Sequence, residues 1–160
     1  MASTQSYTLT RSNNSTEKEA LSYLITQDSD FILPDKNSRK KLMDMFSIGQ
    51  NFSRAFDLVY IKDSGNDNSI TVSDKDKIIF VELKTTKKYL PDNPHGFFFG
   101  ATKNEFDLSK ILGEKYKFCF VCLHKDSLSY SLLTTSELES ITKTKRIQYQ
   151  INLQKYVIEI

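Results

Sequence analysis

Along this chain the apolar positions first recur at helical spacing and then, after residue 54, largely alternate with polar ones or gather into short runs. Thr16-Glu17-Lys18-Glu19 has the form of a capping box, with Thr16 as N-cap and Glu19 reaching back from the third helical position. This predicts a helix from Thr16 to about residue 26, with Glu17, Leu21 and Leu24 on one face by i, i+4, i+7 spacing. Pro34-Asp35 separates it from a second helix, predicted from near Ser38 through Leu42 to Phe46. The polar residues 1–14 read as a flexible arm ahead of both.

Residues 55–62 (AFDLVYIK) then read as a strand, and Asp63 to Asn68 as a turn cluster. A short strand over 69–72, a second turn over 73–77 and an apolar strand over 78–85 complete an expected antiparallel meander. Residues 89–96 (YLPDNPHG) form a loop, and 97–99 (FFF) a short strand. A helix over 102–112 follows, with Thr102 as N-cap, Glu105 at the third position and Gly113 as its stop. Strands over 115–124 and 128–134, a short helix over 135–141 and an edge hairpin over 146–159 close the expected order. The alternation of helices and strands places the chain in the α/β class.

Composition narrows the class further. A chain of 160 residues with 39% hydrophobic content suits one globular domain, expected over 15–160. The formal net charge of +2 gives no argument for a nucleic-acid partner; only a local basic patch can supply one. The polar start lacks the apolar stretch of a signal peptide, and no apolar run reaches membrane-spanning length. With only two cysteines, the expectation is a soluble, intracellular (cytoplasmic) protein with reduced thiols and no membrane partner. Asn14-Ser15-Thr16 and Asn51-Phe52-Ser53 are then chance sequons.

The candidate chemistry lies in residues 78–88, IIFVELKTTKK. Residues two apart on a strand share a face, so Glu82 and Lys84 point together while Val81 and Leu83 face the other way. Ionised groups on a buried strand are costly unless paired or bound to metal. If 55–62 and 78–85 are neighbours, Asp57 can approach Glu82, and a cation would offset the repulsion between the two carboxylates. An E-x-K pair also occurs commonly as a solvated surface pair; the apolar run before it and Asp57 on the partner strand favour the site.

The set Asp57…Glu82-Leu83-Lys84, on two strands after N-terminal helices, resembles the PD-(D/E)xK, or restriction endonuclease-like, nuclease superfamily over roughly residues 15–125. Phe56 stands where the family's motif has proline before the aspartate. VELKTTKK followed by GFFFGATKNEFDLSKILGEKYKFCFVCL is similar to nuclease-like domains related to restriction endonucleases. The resemblance implies a mixed β-sheet flanked by helices and metal-dependent phosphodiester hydrolysis. It implies Asp57, Glu82 and Lys84 as catalytic residues, and Mg²⁺, replaceable by Mn²⁺, held by Asp57, Glu82 and the Leu83 carbonyl. Lys84 would then steer or deprotonate the attacking water, or neutralise developing charge on phosphorus. Glu17 is a candidate further acid from the first helix.

Basic clusters supply candidate phosphate contacts. Lys87 and Lys88 leave the catalytic strand directly, and Lys103 and Asn104 open a helix whose N–H groups attract phosphate. Lys36 with Arg39-Lys40-Lys41 forms a third cluster, Arg54 borders the site or pairs with an acid, and Lys143-Lys145-Arg146 reads as a solvated face. Cys119-Phe120-Val121-Cys122 on a strand reads as core packing, because i and i+3 face opposite ways. Phe97-Phe98-Phe99 reads as a strand edge ahead of a base-stacking platform, both histidines as incidental, and no Walker A sequence is present.

The expected function is a DNA endonuclease of restriction or homing type, or the nuclease subunit of a larger system. One such site cuts one strand, so a double-strand cut calls for a homodimer, a second protein subunit or two sequential events. The alternatives are a non-catalytic nucleic-acid-binding or assembly module on the same fold, and a nuclease directed at RNA.

Overall fold

The computed structural model describes residues 2–64 and 70–156, with the backbone alone for 2–14, 72 and 73. It is an α/β fold in which a five-stranded mixed sheet is flanked by helices on both faces. The order along the chain is α1 (Ala2–Gln27), β1 (Phe31–Ile32), α2 (Lys36–Met45), β2 (Leu58–Ile61), β3 (Ile78–Thr86), α3 (Lys103–Leu112), β4 (Tyr116–Cys122), β5 (Ser129–Leu133) and α4 (Thr135–Ile141). Among the described residues no helix is long and apolar enough to cross a membrane.

The strands lie in sequence order, β1-β2-β3-β4-β5. All neighbours are antiparallel except β3 and β4, which run parallel. A parallel pair needs a crossover, and residues 87–102 with α3 provide it. Alternation along each strand splits the core in two. Val59, Phe80, Phe118 and Phe120 face Leu42 and Met43 of α2, Leu108 of α3 and Leu138 of α4. Leu58, Val81, Leu83, Cys119 and Val121 face Ala20 and Leu24 of α1. Each such buried aliphatic side chain contributes about 1.5–3 kcal/mol relative to exposure.

Local chemistry sets the helix ends. Asp35 caps α2, its side chain accepting from Ser38 N–H at 2.7 Å, so the helix starts at Lys36, two residues ahead of the expected Ser38. Thr102 accepts from Glu105 N–H at 3.1 Å and Gly113 ends α3 at φ 59°, both as the sequence predicts.

Several expectations are corrected. Helix α1 runs back to Ala2, so Thr16 is not its N-cap, and the predicted arm over 1–14 is helical backbone from residue 2. No Gly or Pro interrupts residues 1–27, so nothing there stops the helix. Its buried stripe is Thr16, Ala20 and Leu24: Leu24 lies where expected, while Thr16 and Ala20 take the places expected of Glu17 and Leu21, which are half-buried. The predicted strand over 69–72 does not form over its described residues: Val72 opens a 3₁₀ turn capped by Asp74, whose Oδ2 accepts from Thr71 N–H at 3.0 Å. Residues 65–69, with much of the expected first turn, lie outside the described residues. Strand β2 therefore pairs directly with β3. The FFF segment is loop; Phe97 and Phe99 each lie 5.0 Å from the Phe120 ring, while Phe98 is exposed. Residues 146–156 of the expected closing hairpin carry no regular structure and leave Ile147, Tyr149, Ile151 and Leu153 exposed; 157–159 lie outside the described residues.

Candidate functional site

The site is built where the chain enters β2. Asp57 N–H donates to the Val81 carbonyl at 2.9 Å, although Val81 already has Leu58 as its Cα partner. Two consecutive residues thus oppose one, the arrangement of a β-bulge, which re-aims a side chain off the regular pleat. The re-aimed carboxylate reaches across to β3, where Asp57 Oδ2 accepts from Leu83 N–H at 2.7 Å. The carbonyl of a strand residue leaves the same edge as its N–H, so the Leu83 carbonyl also turns toward Asp57.

Side chains from two other elements hold the backbone around Asp57. Arg39 of α2 donates through Nη1 to the carbonyls of Ser53 (3.0 Å) and Phe56 (2.7 Å), and through Nη2 to that of Asp57 (3.1 Å). Its guanidinium lies 4.2 Å from the centre of the Phe56 ring. Tyr116 of β4 donates its hydroxyl to the Ala55 carbonyl at 2.6 Å. Carbonyls that the irregular chain leaves outside the sheet ladder are satisfied this way, and Asp57 is fixed in place.

On β3, Glu82 and Lys84 share a face, as alternation predicts. Glu82 is only 6% exposed. Its Oε1 lies 3.5 Å from Lys84 Nζ, and its Oε2 is buried with no hydrogen-bond partner. Lys84 Nζ also lies 2.6 Å from Oε1 of Glu105, a buried residue at the third position of α3. Glu105 Oε2 accepts from Thr102 Oγ1 at 2.8 Å, so one carboxylate both closes the helix cap and anchors the lysine.

Burial pushes the Glu82 carboxyl up to about 9, with the Asp57 and Glu105 carboxylates adding to the rise and Lys84 opposing it. Glu17 of α1 is raised as well, first by burial and then by Asp57. Glu17 and Glu82 thus both feel the Asp57 carboxylate and the Lys84 amine, and Glu82 feels Glu105 as well. Tyr116 is pushed up by burial and by the Glu82, Glu105 and Asp57 carboxylates, which keeps its hydroxyl a donor.

No group of three or more His, Cys, Asp or Glu arranged to hold a metal ion occurs among the described residues. The oxygen donors available are the Asp57 and Glu82 carboxylates and the Leu83 carbonyl, a set suited to a hard divalent cation that keeps several waters. The buried, unpartnered Oε2 of Glu82 fits such an ion, which would satisfy that oxygen and favour the ionised carboxylate.

The structure brings Asp57, Glu82, Leu83 and Lys84 together and sets Glu17 beside them. Three of the four expected nucleic-acid contacts have partners within the chain. Lys87 and Glu19, both exposed, approach to 3.7 Å, and Lys88 is exposed. Lys103 pairs with Asp107 at 2.6 Å, and the Asn104 amide donates to the Asn51 carbonyl at 3.1 Å. Arg39, expected among phosphate contacts, instead binds backbone carbonyls. The Cys119 and Cys122 thiols are free, buried and on opposite faces of β4, as strand alternation requires.

Glu105 and Tyr116 are site residues that sequence reasoning missed. Glu105 was visible only as a helix-cap residue, and its second oxygen had no signature. Compared with protein-family models, curated proteins and solved structures, the chain matches none.

Proposed function

We propose that the chain is a metal-dependent nuclease of restriction endonuclease-like fold that hydrolyses phosphodiester bonds in DNA, with Asp57, Glu82 and Lys84 as its catalytic set. One observation carries the reading: Asp57, bonded to Leu83 N–H at 2.7 Å, stands beside a buried Glu82 whose Oε2 has no partner, with Lys84 Nζ 3.5 Å from the other oxygen. Most buried polar atoms have a partner, and this oxygen, with the Asp57 carboxylate beside it, calls for either a proton shared with Asp57 or a bound cation.

Mg²⁺, or Mn²⁺ in its place, would supply Lewis-acid polarisation of a phosphate oxygen and orientation of water when held by Asp57, Glu82 and the Leu83 carbonyl. Glu82 must lose its proton for that role. Asp57 contributes a carboxylate whose direction Arg39 and Tyr116 fix through the backbone. Lys84, held by Glu105, presents its amine beside the reacting phosphate, to orient water or to offset charge building on phosphorus. A single site cuts a single strand, so a double-strand break calls for a second copy or another subunit.

Incubation of the purified chain with supercoiled plasmid, linear DNA and RNA, in Mg²⁺ or in EDTA, tests the reading. Nicking of plasmid in Mg²⁺ alone supports it. Binding without cleavage under every metal condition would favour a nucleic-acid-binding module, and cleavage confined to RNA would change the substrate.

A further inference from the structure

An open groove of about 680 Å³ lies between α2 and the segment leading into β2, and Asp57 lines it. Its wall on α2 carries Lys36, Arg39, Lys40 and Met43, which share a helix face by i, i+3, i+4, i+7 spacing. Across from them stand Ser53, Arg54 and Phe56. Asp57 is the only acid among the lining residues. Four cations against one anion is a local concentration, because the whole chain has 22 basic and 20 acidic residues.

The charge of this surface is uncommitted. Lys36, Lys40 and Arg54 are exposed, and among the described residues none takes part in an ion pair or a side-chain hydrogen bond. Of the lysines on other surfaces, Lys87 and Lys103 face Glu19 and Asp107, while Lys88 is exposed with no ion pair among the described residues. An unneutralised cation releases free energy when it displaces counterions from a polyanion, whereas a paired one must first give up its partner. Arg39 adds a fixed positive charge to the groove wall, with three of its five N–H donors engaged by carbonyls. A groove of this volume, open to solvent, suits a chain lying along it, and Gln50 and Asn37 add neutral donors.

We propose that this groove binds the phosphodiester backbone of a nucleic-acid strand through Lys36, Lys40 and Arg54, guiding it to the carboxylates at Asp57. The inference rests on the nuclease reading of Asp57 and Glu82, and it moves the substrate path from the exit of β3 to the α2 side. The contacts are to phosphate, so they set position and affinity without reading base sequence.

The test is equilibrium binding of a labelled duplex oligonucleotide to the full chain in Ca²⁺ over a salt series. It compares wild type, the triple variant Lys36→Ala/Lys40→Ala/Arg54→Ala and the double variant Lys87→Ala/Lys88→Ala. All three altered positions of the triple variant are exposed, and thermal unfolding checks that it folds. The expected result is a slope of log K against log salt reduced by roughly 0.9 per lost contact, about 2.7 for the triple variant. The double variant should change the slope less. An unchanged slope in the triple variant, with wild type binding normally, overturns the groove and leaves the nuclease reading standing. Wild type that binds no nucleic acid overturns both. Inorganic phosphate that displaces the oligonucleotide at matched ionic strength would mark a simple anion pocket and overturn the backbone path.

Discussion

Asp57 and Leu83 are joined by a 2.7 Å hydrogen bond in which a side-chain carboxylate takes a backbone N–H of the neighbouring strand. The bond ties the candidate site to the sheet itself. Asp57 gains a fixed direction, and Leu83 N–H gains an acceptor at the point where β2 has ceased to pair regularly. Chemistry and folding therefore make different demands on the same side chain.

That difference separates two substitutions. Asp57→Ala leaves Leu83 N–H without its acceptor, at a cost of about 1–3 kcal/mol. Asp57→Asn keeps an oxygen for it, and its stability should stay within about 1 kcal/mol of wild type. Both should lose cleavage, because neither offers a carboxylate to a cation. Urea unfolding of the two variants, read beside plasmid nicking, checks the split.

Arg39→Lys should destabilise the protein by about 2–4 kcal/mol, since an ammonium cannot span three carbonyls and stack on Phe56 at once. The midpoint of urea unfolding reports it. An effect below about 0.5 kcal/mol would mean that the carbonyls find other donors.

Much of the site was legible in the sequence because β-strands have a period of two. The run IIFV fixes β3, and alternation then puts Glu82 and Lys84 on one face whatever the rest of the chain does. Arg39 and Glu105 were not legible in their roles: their partners lie 18 and 21 residues away, and no local pattern encodes such a contact. Strand β1 has two residues, too few for any period, and forms because Phe31 and Ile32 pair with Tyr60 and Val59. Thr16-x-x-Glu19 misled because a capping box is a local signal that also fits inside a continuous helix. The alternation over 147–153 likewise describes what a strand needs on its faces and is silent on whether a partner strand is present.

That segment supports its own prediction. Ile147, Tyr149, Ile151 and Leu153 are 76–84% exposed, so replacing these four with serine should shift the urea unfolding free energy by no more than about 0.5 kcal/mol. A larger loss would place the segment against the folded body.

Glu82 predicts a pH dependence in metal-free protein. Its carboxyl titrates near 4.5 ordinarily and near 9 in the fold, so the folded state holds the proton more tightly than the unfolded chain. Stability from this group is full below about 4.5 and is lost as pH rises through about 9. Unfolding in EDTA should therefore show stability falling from pH 5 to pH 9, and Glu82→Gln should flatten the fall. Glu17, raised in the same direction, leaves a smaller slope of the same sign. A Glu82→Gln profile as steep as wild type would remove Glu82 as the source.

The most direct test of the central claim is the rate of plasmid nicking in Mg²⁺ by wild type and by Glu82→Gln, purified and assayed in parallel. Glu82→Gln keeps the shape of the side chain and removes the charge a cation needs. The account predicts nicking by wild type that EDTA abolishes, and a loss of at least about 100-fold in the variant, the scale seen when a group central to catalysis is removed. Wild-type nicking that persists in EDTA, or a variant that cuts at the wild-type rate, would contradict it.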